Sequence, residues 1–154
     1  SKALEGKRVL VIHPFAELIN EQYKKRNFLF PNKNVLPNFE LSVIKAVQSL
    51  SGEKNPFENW FQALEFMKKE ISQKDFDIAL IGCGAYGFPL AAHTKKIGKQ
   101  SIHIGGSLQI LFGIKGARWN NHPIISKFYN EHWVRPRAED KPSKSHLVEN
   151  DCYW

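Results

Sequence analysis

The chain has 154 residues, enough to bury a core of its own, and its 42% hydrophobic and 24% charged content is that of an ordinary globular domain rather than a disordered segment. A formal net charge of +7 suits an anionic partner such as a phosphate, a nucleic acid or an acidic surface. Two cysteines make no disulfide framework and point to a reducing cytoplasm, and no apolar run reaches the roughly 20 residues of a membrane span or resembles a leader peptide.

In chain order, strands alternate with helices. Val9 to Ile12 is rich in β-branched residues and predicts a buried parallel strand, stopped by His13-Pro14. Phe15, Leu18, Ile19 and Tyr23 then recur at helical spacing through "AELINEQYKKR", with basic residues in the last turn. "NFLFPNKNVLPNFE" carries two prolines and predicts loop. "ELSVIKAVQSL" fits strand or helix, and the alternation of Leu41, Val43, Lys45 and Val47 favours strand. "SGEKNP" predicts a turn. "PFENWFQALEFMKKEISQ" predicts a helix with Phe57, Trp60, Phe61, Leu64, Met67 and Ile71 on one core-facing stripe.

Strand "FDIALIG", a glycine turn, helix "GFPLAAHTKKIG" and strand "SIHIGG" follow, with Pro89 in the helix's first turn and Gly98 at its end. "SLQILFGIK" predicts a short helix and "PIISKFYNEHW" another. The tail from Val134 is rich in proline, charge and serine, and its aromatic end predicts docking on the body. Residues 1–133 thus read as a Rossmann-like α/β domain and 134–154 as a tail packed on it. The expected fold is a three-layer sandwich, a mainly parallel sheet of about four strands with right-handed crossovers and helices on both faces.

Ligands of such sheets bind beyond the carboxyl ends of the strands. Three segments reach that edge: His13-Pro14-Phe15, Gly82 to Gly87, and His103 to Gly106. Gly82, Gly84 and Gly87 spell G-x-G-x-x-G between a strand and a helix, where bare backbone lets a phosphate approach free amides. A dinucleotide site also asks for an acidic residue about 20 positions on, at the end of the next strand. That strand, "SIHIGG", has none, which demotes NAD. Tight packing of helix on strand explains the motif equally well.

Gly105-Gly106 before Ser107 offers a second anion-facing turn, with Ser107 as cap or donor, or else an ordinary N-cap. His103, between two isoleucines, reads first as a buried, hydrogen-bonded core histidine and second as a ligand contact. His13 divides evenly between those roles. Cys83 reads as a small buried side chain, Tyr86 as a stacking or packing ring, and Glu17 as a solvated helix carboxylate. Arg118 beside Trp119 suits anion binding with stacking, though a fold-closing Trp119 is the first reading. No Cys/His spacing suggests a metal. Between Asp77 and Glu131 no acidic residue occurs, while Lys95, Lys96, Lys99, Lys115, Arg118 and Lys127 all do. The first three read as the wet face of a helix.

"HPFAELINEQYKKR", "LFPNKNVLPNFEL", "KAVQSL" and above all "IGCGAYGFPLAAHTKKIGKQSIHIGGSLQILFGIKGARW" resemble a bacterial family met in capsule and surface-polysaccharide gene clusters, and "VENDCYW" fits its carboxyl terminus. The likeness covers nearly the whole chain, and the family's members are usually longer. A distant relation to the GT-D class of glycosyltransferases would imply a sugar-nucleotide site around Gly82, Gly84, Ala85, Tyr86, Gly87, Gly105 and Gly106. That class holds a divalent metal with a D-x-E motif, which this chain lacks. The resemblance therefore implies acidic machinery upstream, leaves the catalytic residue unassigned, and makes this chain the ligand-cradling half.

The expected function is nucleotide-sugar binding for glycosyl transfer, with His13, Gly82, Gly84, Ala85, Tyr86, Gly87, His103, Gly105, Gly106 and Ser107 as binding residues. The expected partners are a small anionic ligand, membrane-peripheral biosynthetic machinery, and an upstream domain or a second copy. The alternatives are an NAD(P)- or flavin-dependent oxidoreductase and a non-enzymatic interaction domain. Specific nucleic-acid binding is not expected, since no basic reading helix is present.

Overall fold

The computed structural model describes residues 1–49 and 55–154, and the expected "SGEKNP" turn falls largely outside them. Four strands, β1 (Arg8–His13), β2 (Glu40–Lys45), β3 (Ile78–Ile81) and β4 (Gln100–His103), form one all-parallel sheet in the order β2-β1-β3-β4. Five helices accompany them: α1 (Ala16–Lys24), α2 (Arg26–Leu29), α3 (Trp60–Ser72), α4 (Gly87–Lys96) and α5 (Leu108–Leu111). The architecture is a Rossmann-like α/β sandwich, as the alternation of strand and helix patterns predicts.

Alternation along the central strands divides the interior in two. Val9 and Val11 of β1 share a face with Ile78 and Leu80 of β3, and α1, α2 and α5 pack there through Ile19, Leu29 and Leu108, joined by Trp133 and by Tyr153 and Trp154 of the tail. Leu10, Ile12, Ala79 and Ile81 face the other way, against Ala63, Leu64, Met67 and Ile71 of α3 and Leu90 of α4. Both central strands are thus covered on both sides, which is why they read as unbroken apolar runs.

The chain first steps from β1 to β2 with α1 on one face, then crosses back to β3 and on to β4 with α3 and α4 on the opposite face. Right-handed crossovers place helices this way when strand addition reverses direction. The reversal falls between β1 and β3. The loops leaving those two strands diverge to opposite faces and open a crevice at the carboxyl edge.

Local signals explain the element ends. The Asn59 side chain accepts from the Gln62 amide at 3.0 Å and caps α3. Gly98, at φ +79, ends α4 with paired bonds, Gly98 N–H to Lys95 O and Lys99 N–H to Thr94 O, both 3.1 Å. Two expectations are corrected. Asn27 to Leu29, assigned to loop, belong to a helical turn, Arg26–Leu29, that seats Leu29 in the core. Phe61, assigned to the buried stripe, is 71% exposed, because the cap fixes α3 so that Trp60 faces inward and Phe61 lies one step round the helix.

The tail from Val134 runs mostly as short 3₁₀ turns after an isolated bridge between Ile114 and Val134. Its aromatic end does dock. Ala117 N–H donates to Trp154 O and Arg118 N–H to Cys152 O, while Trp154 Nε1 donates to Asp140 O. Asn150 and Asp151 both adopt left-handed backbone, φ 53 and 62, and turn the last residues inward.

At the opposite, amino edge of the sheet, Arg8 joins β1 to β3. Its backbone N–H and guanidinium both donate to the Asp77 carboxylate, at 2.8 and 2.6 Å, which holds Asp77 down at about 2. A depressed carboxylate stabilises the fold fully above its unfolded pKa near 3.8 and loses that contribution as pH falls through about 2. Asp77→Asn is therefore expected to be less stable than the parent at pH 5 to 7, with the gap closing between pH 4 and 2. Urea denaturation at stepped pH checks it, and a gap that stays constant down to pH 2 would contradict the pairing.

Candidate functional site

A cavity of about 600 Å³ occupies the carboxyl edge. Its walls come from the loops after all four strands: Pro14 and Phe15 after β1, Val47 to Ser49 after β2, Cys83 to Tyr86 after β3, and Gly105 and Gly106 after β4. Trp60 of α3 closes one side, and Pro142, Val148, Tyr153 and Trp154 of the tail form a roof. Five aromatic rings line it. No Asp, Glu, Lys or Arg does so among the described residues.

His13 ends the central strand β1 and is 3% exposed. Its Nδ1 accepts the Phe15 N–H at 3.0 Å, and its ring lies 4.9 Å from that of Phe15. Burial pushes its pKa down to about 3, so the imidazole is neutral at neutral pH. Cys83 is also buried, and burial pushes its thiol up to about 12. It stays protonated and is a wall atom rather than a nucleophile.

The glycines divide by what a Cβ would meet. At Gly82 it would fall 2.6 Å from Gly105 O and 2.9 Å from both His13 Cδ2 and Leu108 Cβ. At Gly87 it would fall 2.2 Å from His103 Nε2, and at Gly106 2.0 Å from Tyr153 Cε1. These three are bare because the protein's own atoms take the space a side chain would need; Gly82 and Gly106 still line the cavity with bare backbone, and Gly87 does not. Gly84 and Gly105 differ. Both hold left-handed backbone, φ +55 and +66, with open space around them. The amides of Gly84, Ala85 and Gly105 donate to no protein group among the described residues. They face the cavity rim at the start of α4 and beside it.

Several side chains stand where the sequence did not put them. His103, expected first as a core histidine, is exposed, because β4 is an edge strand; its ring rests on Gly87 and lines the cavity. Ser107 makes no capping bond, sits in helical backbone and lies outside the cavity wall, so it is neither cap nor rim donor. Tyr86 packs: its ring stacks on Trp60 at 5.0 Å and 7°, and its hydroxyl bonds Ser49 Oγ at 2.6 Å. Trp119 is buried, and Arg118 lies over the Tyr153 ring at 4.9 Å. Glu17 is a surface carboxylate 3.6 Å from Lys45.

The expectation therefore missed Trp60, assigned wholly to core, together with Val47 to Ser49, Gln109 and the tail residues of the roof. The loop after β2 was findable, since it leaves the same sheet edge as the other three. Nothing in the tail's own sequence says where its rings land.

No family model, curated protein or solved structure matches this chain. What fold and site define is a Rossmann-like α/β protein with an aromatic, uncharged cavity at its topological switch point. Among the described residues no helix is long and apolar enough to cross a membrane.

The roof gives a direct test. Gly106→Ala is expected to displace Tyr153 and speed hydrogen exchange at the Ala117 and Arg118 amides, which hold the Trp154 and Cys152 carbonyls. Exchange at Val9 to Ile12 should not change. Unaltered exchange at 117 and 118 would show that Tyr153 does not depend on the bare glycine.

Proposed function

We propose that the crevice binds a nucleotide sugar in the cytoplasm and serves glycosyl transfer in surface-polysaccharide synthesis. The observation that carries this reading is the aromatic cavity of about 600 Å³ at the β1/β3 switch point, rimmed by the unpaired amides of Gly84, Ala85 and Gly105. The volume lies in the usual range for small-molecule sites, about 300–1,000 Å³. A ring system enters among Phe15, Trp60, Tyr153 and Trp154. The diphosphate stays at the rim, where free amides and the amino end of α4 favour negative charge. The same amides stabilise the charge that grows on the diphosphate as it leaves. The surplus of basic side chains adds long-range attraction.

The residues present do not fit a divalent metal. Among the described residues no carboxylate lines the cavity, and no three His, Cys, Asp or Glu side chains are grouped to hold an ion. The walls offer binding and charge stabilisation, and activation of the acceptor falls to groups outside this cavity.

One observation favours a second reading. In the related order 2-1-3-4-5, flavin mononucleotide occupies the same β1/β3 switch point. Calorimetric titration with UDP-, GDP-, CDP- and dTDP-sugars, with and without manganese, and with flavin mononucleotide and NADP, separates the two. Saturable binding of a nucleotide sugar is expected, and silence across the sugar panel would overturn the proposal. Ala85 is exposed on the rim, so Ala85→Asp should leave Tm unchanged while repelling the diphosphate and weakening binding about tenfold. Undiminished affinity in that variant would place the phosphates elsewhere.

A further inference from the structure

One buried donor in the crevice has no use within the protein. His13 Nδ1 accepts the Phe15 N–H, so it carries a lone pair, and in the neutral ring the proton resides on Nε2. Nε2 has no hydrogen-bond partner among the described residues. Yet it is not among the fully enclosed side-chain atoms without a partner, which are Tyr129 Oη and Asp151 Oδ1. It therefore opens onto the cavity that its ring lines. A buried donor facing an apolar space costs free energy until an acceptor arrives.

The surroundings select the acceptor. A phosphate oxygen would carry its charge to the floor of a cavity with no lysine or arginine among the described residues of its walls, and a neutral imidazole offers it only a dipole. An uncharged carbonyl or hydroxyl oxygen carries no such penalty. The Phe15 ring beside His13, with Trp154 edge-on to it at 6.3 Å, presents apolar surface suited to a flat ring.

Resting on the nucleotide-sugar reading, we propose that His13 donates its Nε2–H to an uncharged exocyclic oxygen of the ligand, a nucleobase carbonyl or a sugar hydroxyl, and so fixes the ligand ring-inward with its phosphates at the Gly84–Ala85–Gly105 rim. The imidazole keeps this tautomer throughout the neutral range, since burial disfavours a second proton.

The full chain, labelled with ¹⁵N, tests this through its own His13 Nε2–H resonance. The probes are the nucleotide sugar that binds in the calorimetric panel, its free nucleoside, its free sugar, and inorganic pyrophosphate. The nucleotide sugar is expected to shift the Nε2–H resonance. The nucleoside shifting it too assigns the base to the floor, and the free sugar doing so assigns the sugar. Pyrophosphate should shift the rim amides of Gly84, Ala85 and Gly105 and leave the His13 Nε2–H resonance unmoved.

His13→Phe should weaken the nucleotide sugar about tenfold, with His13→Gln, which keeps a donor, in between. A bound nucleotide sugar that leaves Nε2–H unmoved overturns the proposal while the binding reading stands. Pyrophosphate moving Nε2–H as far as the nucleotide sugar does the same. Failure of every nucleotide sugar to bind overturns both. Because the resonance is read on the unaltered chain, a His13→Phe variant that fails to fold does not blunt the test.

Discussion

Where a Cβ on Gly82 would sit, three atoms already crowd: the Gly105 carbonyl oxygen, Cδ2 of His13 and Cβ of Leu108. They belong to the loop after β4, to the end of β1 and to α5, while Gly82 itself continues β3, its amide donating to Ile12 O at 2.9 Å. Three chain segments from three strands thus meet over one hydrogen atom. The meeting point is the back of the crevice. Any side chain there would force apart the loops that hold the free amides in place, and the open rim at Gly84 and Gly105 exists because Gly82 is closed.

Charge is arranged around this point and kept out of it. Arg8, Asp75 and Asp77 pair at the amino edge, and Glu17, Glu21, Lys45 and Arg137 pair along the flank. Exposed pairs of this kind add little stability, and among the described residues none of these side chains lines the cavity, although Lys45 ends β2 beside His13. Asp140 is the buried exception. It lies 3.8 Å from Lys45 beneath the tail, where burial raises its pKa.

The sheet was legible because both central strands are covered on both faces. Ile12 and Ile81 could only be apolar, and their runs stood out without any need to know their neighbours. Carboxyl-edge geometry followed from the alternation, which is how His13, Gly84, Ala85 and Gly105 were found as residues of one region. What was not legible depends on position within the sheet rather than along the chain. His103 and Ile81 are cross-strand neighbours with similar flanks, yet His103 lies on an edge strand and Ile81 does not. The G-x-G-x-x-G spacing was misleading in the same way. Spacing says that side chains are missing, and only the surroundings tell whether protein or ligand takes the space. The rings of Tyr153 and Trp154 were legible as buried but not as a roof, since ring partners such as Trp119 and Phe15 lie far earlier in the chain.

The left-handed corner at Asn150 and Asp151 has a consequence for how the molecule opens. It aims Tyr153 and Trp154 at anchors on Gln109, Ala117 and Arg118, none of which belongs to the sheet. No strand hydrogen bond spans that join. The cavity's cover can therefore lift as a unit of its own, at the cost of its few anchors and its share of buried ring, while the four-stranded layer beneath stays shut.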